Sequence, residues 1–218
     1  MMEKEYFDKI YGVYTDIKGD IEKRLEEFKE IWFSGNNEDI HIELSFCILT
    51  PQSKARNAWK AITALRDNRL LFTGEEEDIV EYLNVVRFKN NKAKNLVLLR
   101  EQMKNSDGSI ITKDFIEKIG DVFETREWLV KHVRGIAYKE ASHFLRNVGF
   151  GDDIAILDRH ILRNLVRLGV IEEIPKTITG KKYKEIEEKM RKYCSKTDIP
   201  MDNFDLLLWY LEAGEIFK

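Results

Sequence analysis

The chain has 218 residues, with 36 Lys and Arg against 39 Asp and Glu, 43% hydrophobic residues, three prolines and two cysteines. Such a length and apolar share suit one large domain or two interlocked ones with a real core. No run nears the ~18–20 apolar residues of a membrane span, so no membrane partner is expected. Cys47 and Cys194 are too few for a disulfide scaffold or a four-cysteine iron–sulfur cluster, and the four histidines show no zinc-type spacing.

The opening Met1-Met2-Glu3-Lys4-Glu5-Tyr6 lacks the basic-then-apolar order of a signal peptide, so an intracellular, cytoplasmic chain is expected. Apolar residues then recur at three- and four-residue steps over 17–33 (Ile17, Ile21, Leu25, Phe28, Trp32), which predicts an amphipathic helix. Residues 38–49 are denser, as for a central helix buried on most sides, with Cys47 in the core and Pro51 marking the stop. Helical spacing continues over 53–67, 76–86, 91–104, 112–119, 125–132, 138–148, 159–168, 181–195 and 203–214, and Asn105-Ser106-Asp107-Gly108 reads as a turn. No segment sustains a period of two with β-branched residues, so the predicted class is all-α. There is no low-complexity linker or fixed-period repeat. Gly180-Lys181-Lys182 lacks the upstream glycine and the Ser/Thr of a P-loop. Gly149-Phe150-Gly151 follows a helix and not a strand, so it is no dinucleotide fingerprint.

The net charge of −3 argues against a generally basic nucleic-acid binder, but the charge is uneven. Residues 74–81 carry five acids and no base. Residues 87–104 carry Arg87, Lys89, Lys92, Lys94, Arg100 and Lys104 against Glu101, and residues 126–167 have eight basic side chains against five acidic ones. Either stretch is a solvated helix face or a place for a phosphate backbone.

Residues 125–148 read as a helix, a tight turn and a second helix, with Gly135 supplying the backbone freedom a sharp hairpin needs. Amides at the turn and at the following helix start would face outward, where an anion can sit, beside Lys131, His132 and Arg134. Nineteen residues after Lys139 comes Asp158-Arg159-His160-Ile161-Leu162-Arg163, where Asp158 is well placed to cap an apolar helix.

Two of these segments resemble the DNA glycosylase superfamily that includes endonuclease III. Gly135-Ile136-Ala137-Tyr138-Lys139 is similar to its Gly-x-Gly-x-Lys hairpin, in which the lysine is the nucleophile, and Asp158-x-His160-x-x-Arg163 to its catalytic aspartate element. Ala137 stands where the pattern has its second glycine, and a methyl fits there if the backbone keeps a negative φ. The missing cluster cysteines, the Leu49-Thr50-Pro51-Gln52 element and the Trp209-Tyr210 helix running to Lys218 resemble the type 2 8-oxoguanine DNA glycosylase/lyase family of archaea and some bacteria.

The resemblance implies a two-lobed helix-hairpin-helix fold. Residues 38–150 would form a helical barrel, residues 1–37 with 151–218 a second lobe, and the active site would lie in the cleft. It implies excision of 8-oxoguanine from duplex DNA through a Lys139 Schiff base, with strand cleavage by β-elimination. Asp158 would stabilise the positive sugar. Trp209 would stack on the flipped base, Lys218 would read it through its ammonium or carboxylate, and Gln52 would enter the duplex or contact the orphaned cytosine. Arg134, Gly135, Ala137 and Arg159 would hold phosphates. No iron–sulfur cluster or other resident metal is expected, apart from a monovalent cation that the hairpin carbonyls can bind in related enzymes. The expected partner is damaged double-stranded DNA, met by a monomer. The alternatives are a glycosylase/lyase for oxidised pyrimidines, a non-catalytic helix-hairpin-helix DNA-binding module, and an α-helical interaction scaffold.

Overall fold

The computed structural model describes residues 2–218. Met1 and the side chains of Met2 and Glu3, part of the N-terminal stretch considered above, lie outside the described residues. The helices are α1 (Met2–Ser34), α2 (Asn37–Leu49), α3 (Ala55–Asp67), α4 (Leu70–Thr73), α5 (Glu76–Tyr82) and α6 (Lys89–Gln102). They continue as α7 (Thr112–Ile119), α8 (Val122–His132), α9 (Tyr138–Asn147), α10 (Arg159–Arg167), α11 (Gly180–Cys194) and α12 (Met201–Ala213). The one extended pairing among the described residues is an isolated bridge between Lys104 and Ile110, which closes the Gly108 turn. The all-α class holds.

The chain divides into two compact units, residues 31–148 and residues 1–30 with 149–218. In the first unit, α2 is the hub and touches α3, α6, α7 and α9. Its start is set by a reciprocal cap. The Asn36 side chain accepts from the Glu38 and Asp39 N–H groups, while Asp39 accepts from the Asn36 N–H. Every residue from Ile40 to Leu49 is buried, so beyond its first turn α2 has no solvent face. That is why its sequence reads as nearly continuous apolar residues. Each fully buried Ile, Leu or Phe there contributes about 1.5–3 kcal/mol of transfer free energy. Cys47 lies among them, fully enclosed.

In the second unit, α12 touches both α10 and α11. The early part of α1 is tied in by aromatic residues: the Tyr6 hydroxyl donates to Asn164, and the Tyr14 hydroxyl donates to Asn203 at 3.2 Å. Cys194 is buried beside Asp202 and Asp205, and burial first, then those carboxylates, push its thiol up to about 12. No helix among the described residues is long and apolar enough to cross a membrane.

Candidate active site

In the first unit, α8 and α9 form the predicted hairpin. Asp121 caps α8 through the Phe123 and Glu124 N–H groups, both at 2.9 Å. Across the hairpin the Tyr138 hydroxyl donates to Glu127 at 2.7 Å, and the buried Arg126 donates to Ser142 at 3.2 Å. Val133 and Ile136 close the turn from inside. Gly135 sits at φ +89, a conformation that demands glycine, and a Cβ built there would lie 2.5 Å from the Asn95 amide of α6 and displace it. Ala137 has φ −109 and ψ −176, extended backbone that any residue adopts, and it is exposed. The methyl at the usual second glycine therefore costs no strain. Arg134, Gly135 and Ala137 all lie on the surface, as phosphate contacts require.

Lys139 is the second residue of α9, and its side chain is 26% exposed. Its ammonium lies 3.0 Å from Glu140 Oε1, while Oε2 of the same carboxylate accepts from the Ala137 N–H at 3.3 Å. Glu140 thus serves both the helix start and the lysine. A second lysine stands close by. Lys92 of α6 is buried, and its ammonium donates to the Leu49 carbonyl (2.7 Å), the Pro51 carbonyl (2.8 Å) and the Ser53 hydroxyl (3.0 Å). Burial first, then the Lys139 charge, lower Lys92 to about 8, while Glu140 pulls the other way. In the sequence alone, Lys92 is only one charge in a basic run. In that run Lys92 and Arg100 are buried, and in the second basic stretch so are Arg126 and Arg146, so neither stretch is a continuous exposed face.

The Lys92 hydrogen bonds bracket Gln52. This residue is exposed at φ +54, a left-handed conformation unusual for a non-glycine residue. The Ser53 hydroxyl also accepts the Arg87 N–H at 3.0 Å, and the next residue, Phe88, is 58% exposed at φ +58. Two exposed side chains in strained backbone are therefore fixed to one knot. Phe88 was not singled out from sequence, because an isolated phenylalanine after an arginine carries no signal of exposure.

The other candidates lie in the second unit. Asp158 caps α10: its Oδ1 accepts from the His160 and Ile161 N–H groups at 2.7 and 2.8 Å. Oδ2 takes no hydrogen bond among the described residues, so only one of the two oxygens serves the helix. His160 meets the Trp209 ring edge-on, with centroids 5.5 Å apart, and Nδ1 of His160 lies 3.2 Å from Glu212. Trp209 therefore stands near the α10 start that Asp158 caps. Its indole N–H is buried and takes no partner. Arg159 is exposed at the first position of α10.

Lys218 is half-buried on the segment after Gly214, whose φ of +72 ends α12. A cavity of about 280 Å³ between α1 and this segment is lined by Asp20, Lys23, Arg24, Glu27, Tyr210 and Ile216. That charged rim is unlike the apolar slot a flipped purine needs. Among the described residues no group of three or more His, Cys, Asp or Glu side chains is placed to hold a metal ion.

A model of the 8-oxoguanine DNA glycosylase family matches residues 21–199. The chain belongs to that family.

A Fusobacterium nucleatum protein named 8-oxoguanine DNA glycosylase/AP lyase is 63% identical over 218 residues, covering 100% of both chains. A Methanocaldococcus jannaschii protein of the same name is 40% identical over 205 residues, 94% of each chain. Among solved structures, the 8-oxoguanine DNA glycosylase of Thermotoga maritima matches with a TM-score of 0.86 at 35% identity, covering 100% of both chains. The Methanocaldococcus jannaschii 8-oxoguanine glycosylase/lyase, in complex with a 15mer DNA containing 8-oxoguanine, matches with a TM-score of 0.86 at 38% identity. That match covers 97% of this chain and 98% of the other. This member of the 8-oxoguanine DNA glycosylase family has the helix-hairpin-helix fold, with α8 and α9 as the hairpin.

Proposed function

We propose that this 8-oxoguanine DNA glycosylase family member excises 8-oxoguanine from duplex DNA and then cleaves the strand as an AP lyase, with Lys139 as nucleophile. The observation that carries the reading is the Lys139 amine, held part-exposed on the first turn of the hairpin's second helix, and the resemblance of Gly135–Lys139 to the family's hairpin supports its assignment as the nucleophile. The neutral amine attacks C1′ of the damaged nucleotide. The C1′–N9 bond breaks, its electron pair leaves with the base, and the base takes up a proton. Opening of the sugar ring turns the adduct into a Schiff base, and loss of a C2′ proton expels the 3′ phosphate. Asp158, through Oδ2, stabilises the positive charge that develops on the sugar.

The base leaves the stack to react, and Trp209 offers it a platform. Arg134, Gly135, Ala137 and Arg159 hold phosphates, Gln52 enters the duplex, and Lys218 distinguishes the lesion from guanine. A monovalent cation at the hairpin carbonyls belongs to the same reading, as does a monomer acting on the DNA of the cell. A set of duplexes with single lesions tests the substrate. Excision and cleavage of 8-oxoguanine opposite cytosine, ahead of oxidised pyrimidines, is expected. Preference for an oxidised pyrimidine overturns the substrate assignment, and binding without release of any base reduces the chain to a DNA-binding module.

A further inference from the structure

The Leu49 carbonyl, at the end of α2, is one of the four that a helix leaves without a partner of its own. The ammonium of Lys92 reaches it from α6 at 2.7 Å, and also donates to the Pro51 carbonyl at 2.8 Å and the Ser53 hydroxyl at 3.0 Å. Those bonds use all three of its donors. A cation is favoured at a helix C-terminus, so Lys92 closes α2 as well as the loop beyond it. Its acceptors lie on both sides of Gln52, which is thereby held at φ +54 with its side chain exposed.

The hold extends to a second loop. The Ser53 hydroxyl accepts the Arg87 N–H at 3.0 Å, and the Asn57 amide donates to the Val85 carbonyl at 3.1 Å. The loop between α5 and α6 is thus set in register with the one between α2 and α3, and it delivers Phe88, exposed and also left-handed at φ +58. The charged side chains of the two loops, Lys54 and Arg87, are exposed and both basic, which suits a face turned toward phosphates. Burying an ammonium carries a desolvation cost that an apolar side chain would not, and what it supplies here is a fixed course for two loops.

We propose that Lys92 is a positioning residue for the opening of the duplex: it holds the Gln52 loop, in register with the Phe88 loop, in the shape from which Gln52 enters the space left by the flipped base. The inference deepens the proposed function and rests on its placement of Gln52 in the duplex. Lys92 is buried, so it acts through the loop and not on the DNA. A side chain in the gap offsets part of the lost stacking and slows the return of the base. Loosening the loop should therefore slow excision about three- to tenfold, the scale of one lost contact.

The test compares the wild type, Lys92→Met, Ser53→Ala and Gln52→Ala at neutral pH. A duplex with 8-oxoguanine opposite cytosine carries 2-aminopurine beside the lesion, which brightens as the stack opens, and single-turnover excision is followed on the same duplex. Borohydride trapping on a single strand with a pre-formed abasic site has no stack to open, so it reports the chemistry of Lys139 alone. Lys92→Met and Gln52→Ala should both lose most of the fluorescence rise and excise about three- to tenfold more slowly, with single-strand trapping close to wild type. Ser53→Ala removes one of the three acceptors and the tie to Arg87, so it should shift the same way, and it decides the matter if Lys92→Met does not fold. A wild-type fluorescence rise in Lys92→Met, or in Ser53→Ala where that variant decides, overturns the inference. So does an equal loss on duplex and single strand, the mark of a purely structural role. Loss in Gln52→Ala with none in the other two overturns this inference and leaves the proposed function standing. A Gln52→Ala protein that opens the duplex as the wild type does removes Gln52 from the duplex, and the inference falls with that placement.

Discussion

Asp158 does two jobs in this account, and one pair of substitutions separates them. In Asp158→Asn an oxygen remains where Oδ1 now accepts the His160 and Ile161 N–H groups at 2.7 and 2.8 Å. The cap survives and only the charge goes, at a cost of about 0.3–1 kcal/mol for one charge at a helix N-terminus. Asp158→Ala removes the acceptor as well and costs about 0.5–2 kcal/mol. Urea unfolding should therefore rank the wild type first, Asn slightly below it and Ala lowest. Catalysis should not follow that order. Both variants lack the anion that faces the developing sugar charge, so single-turnover excision of 8-oxoguanine should fall about 10²–10³-fold in each. An Asn variant at wild-type rate, or rates that track the unfolding free energies, would show that Asp158 is a helix cap and nothing more.

Gly135→Ala forces an L-residue to φ +89 and pushes the Asn95 amide aside, so a loss of about 1–2 kcal/mol in urea unfolding and weaker duplex affinity by anisotropy are expected. Wild-type stability would mean that the turn relaxes freely. Deleting Lys218 should narrow the excision-rate gap between 8-oxoguanine and guanine while leaving lyase activity on an abasic site nearly unchanged; an unaltered gap removes Lys218 from recognition. His41, buried with its Nδ1 2.9 Å from the Thr112 hydroxyl, is lowered by burial to about 3 from its ordinary 6.5. Between those values the unfolded chain holds a proton that the folded chain does not, so stability falls as pH drops below 6.5. The slope is at most about 1.4 kcal/mol per pH unit. His41→Gln should flatten that slope between pH 6.5 and 5, and an unchanged slope would place its origin elsewhere.

Most helices were legible because a buried stripe imposes a 3.6-residue period, as Ile21, Leu25 and Phe28 do in α1. The reach of α1 back to Met2 was missed. Its early turns bury Ile10 and Tyr14 but leave Tyr11 exposed, so the aromatic spacing there is irregular. α4 was missed because four residues are too short to show a period, and the predicted 76–86 helix ends at Tyr82, with Leu83 and Val86 buried in a turn. In the site, the hairpin glycine, Lys139 and the Asp158 cap were visible because local backbone geometry and neighbouring residue types define them. Lys92 was not. Its anchoring rests on the carbonyls of Leu49 and Pro51, some forty residues earlier, and no residue pattern reports a backbone acceptor at that distance. Trp209 could be found as an aromatic residue, but its partnerless indole N–H and its edge contact with His160 exist only in the folded unit.

The central claim is that the Lys139 amine forms the covalent bond to DNA, and borohydride trapping on a duplex carrying 8-oxoguanine opposite cytosine tests it most directly. The wild type should give a stable protein–DNA adduct. Lys139→Gln, which keeps a polar side chain one atom shorter at this part-exposed helix position, should give none while binding the duplex nearly as well. An adduct that persists in Lys139→Gln would place the nucleophile elsewhere and contradict the account.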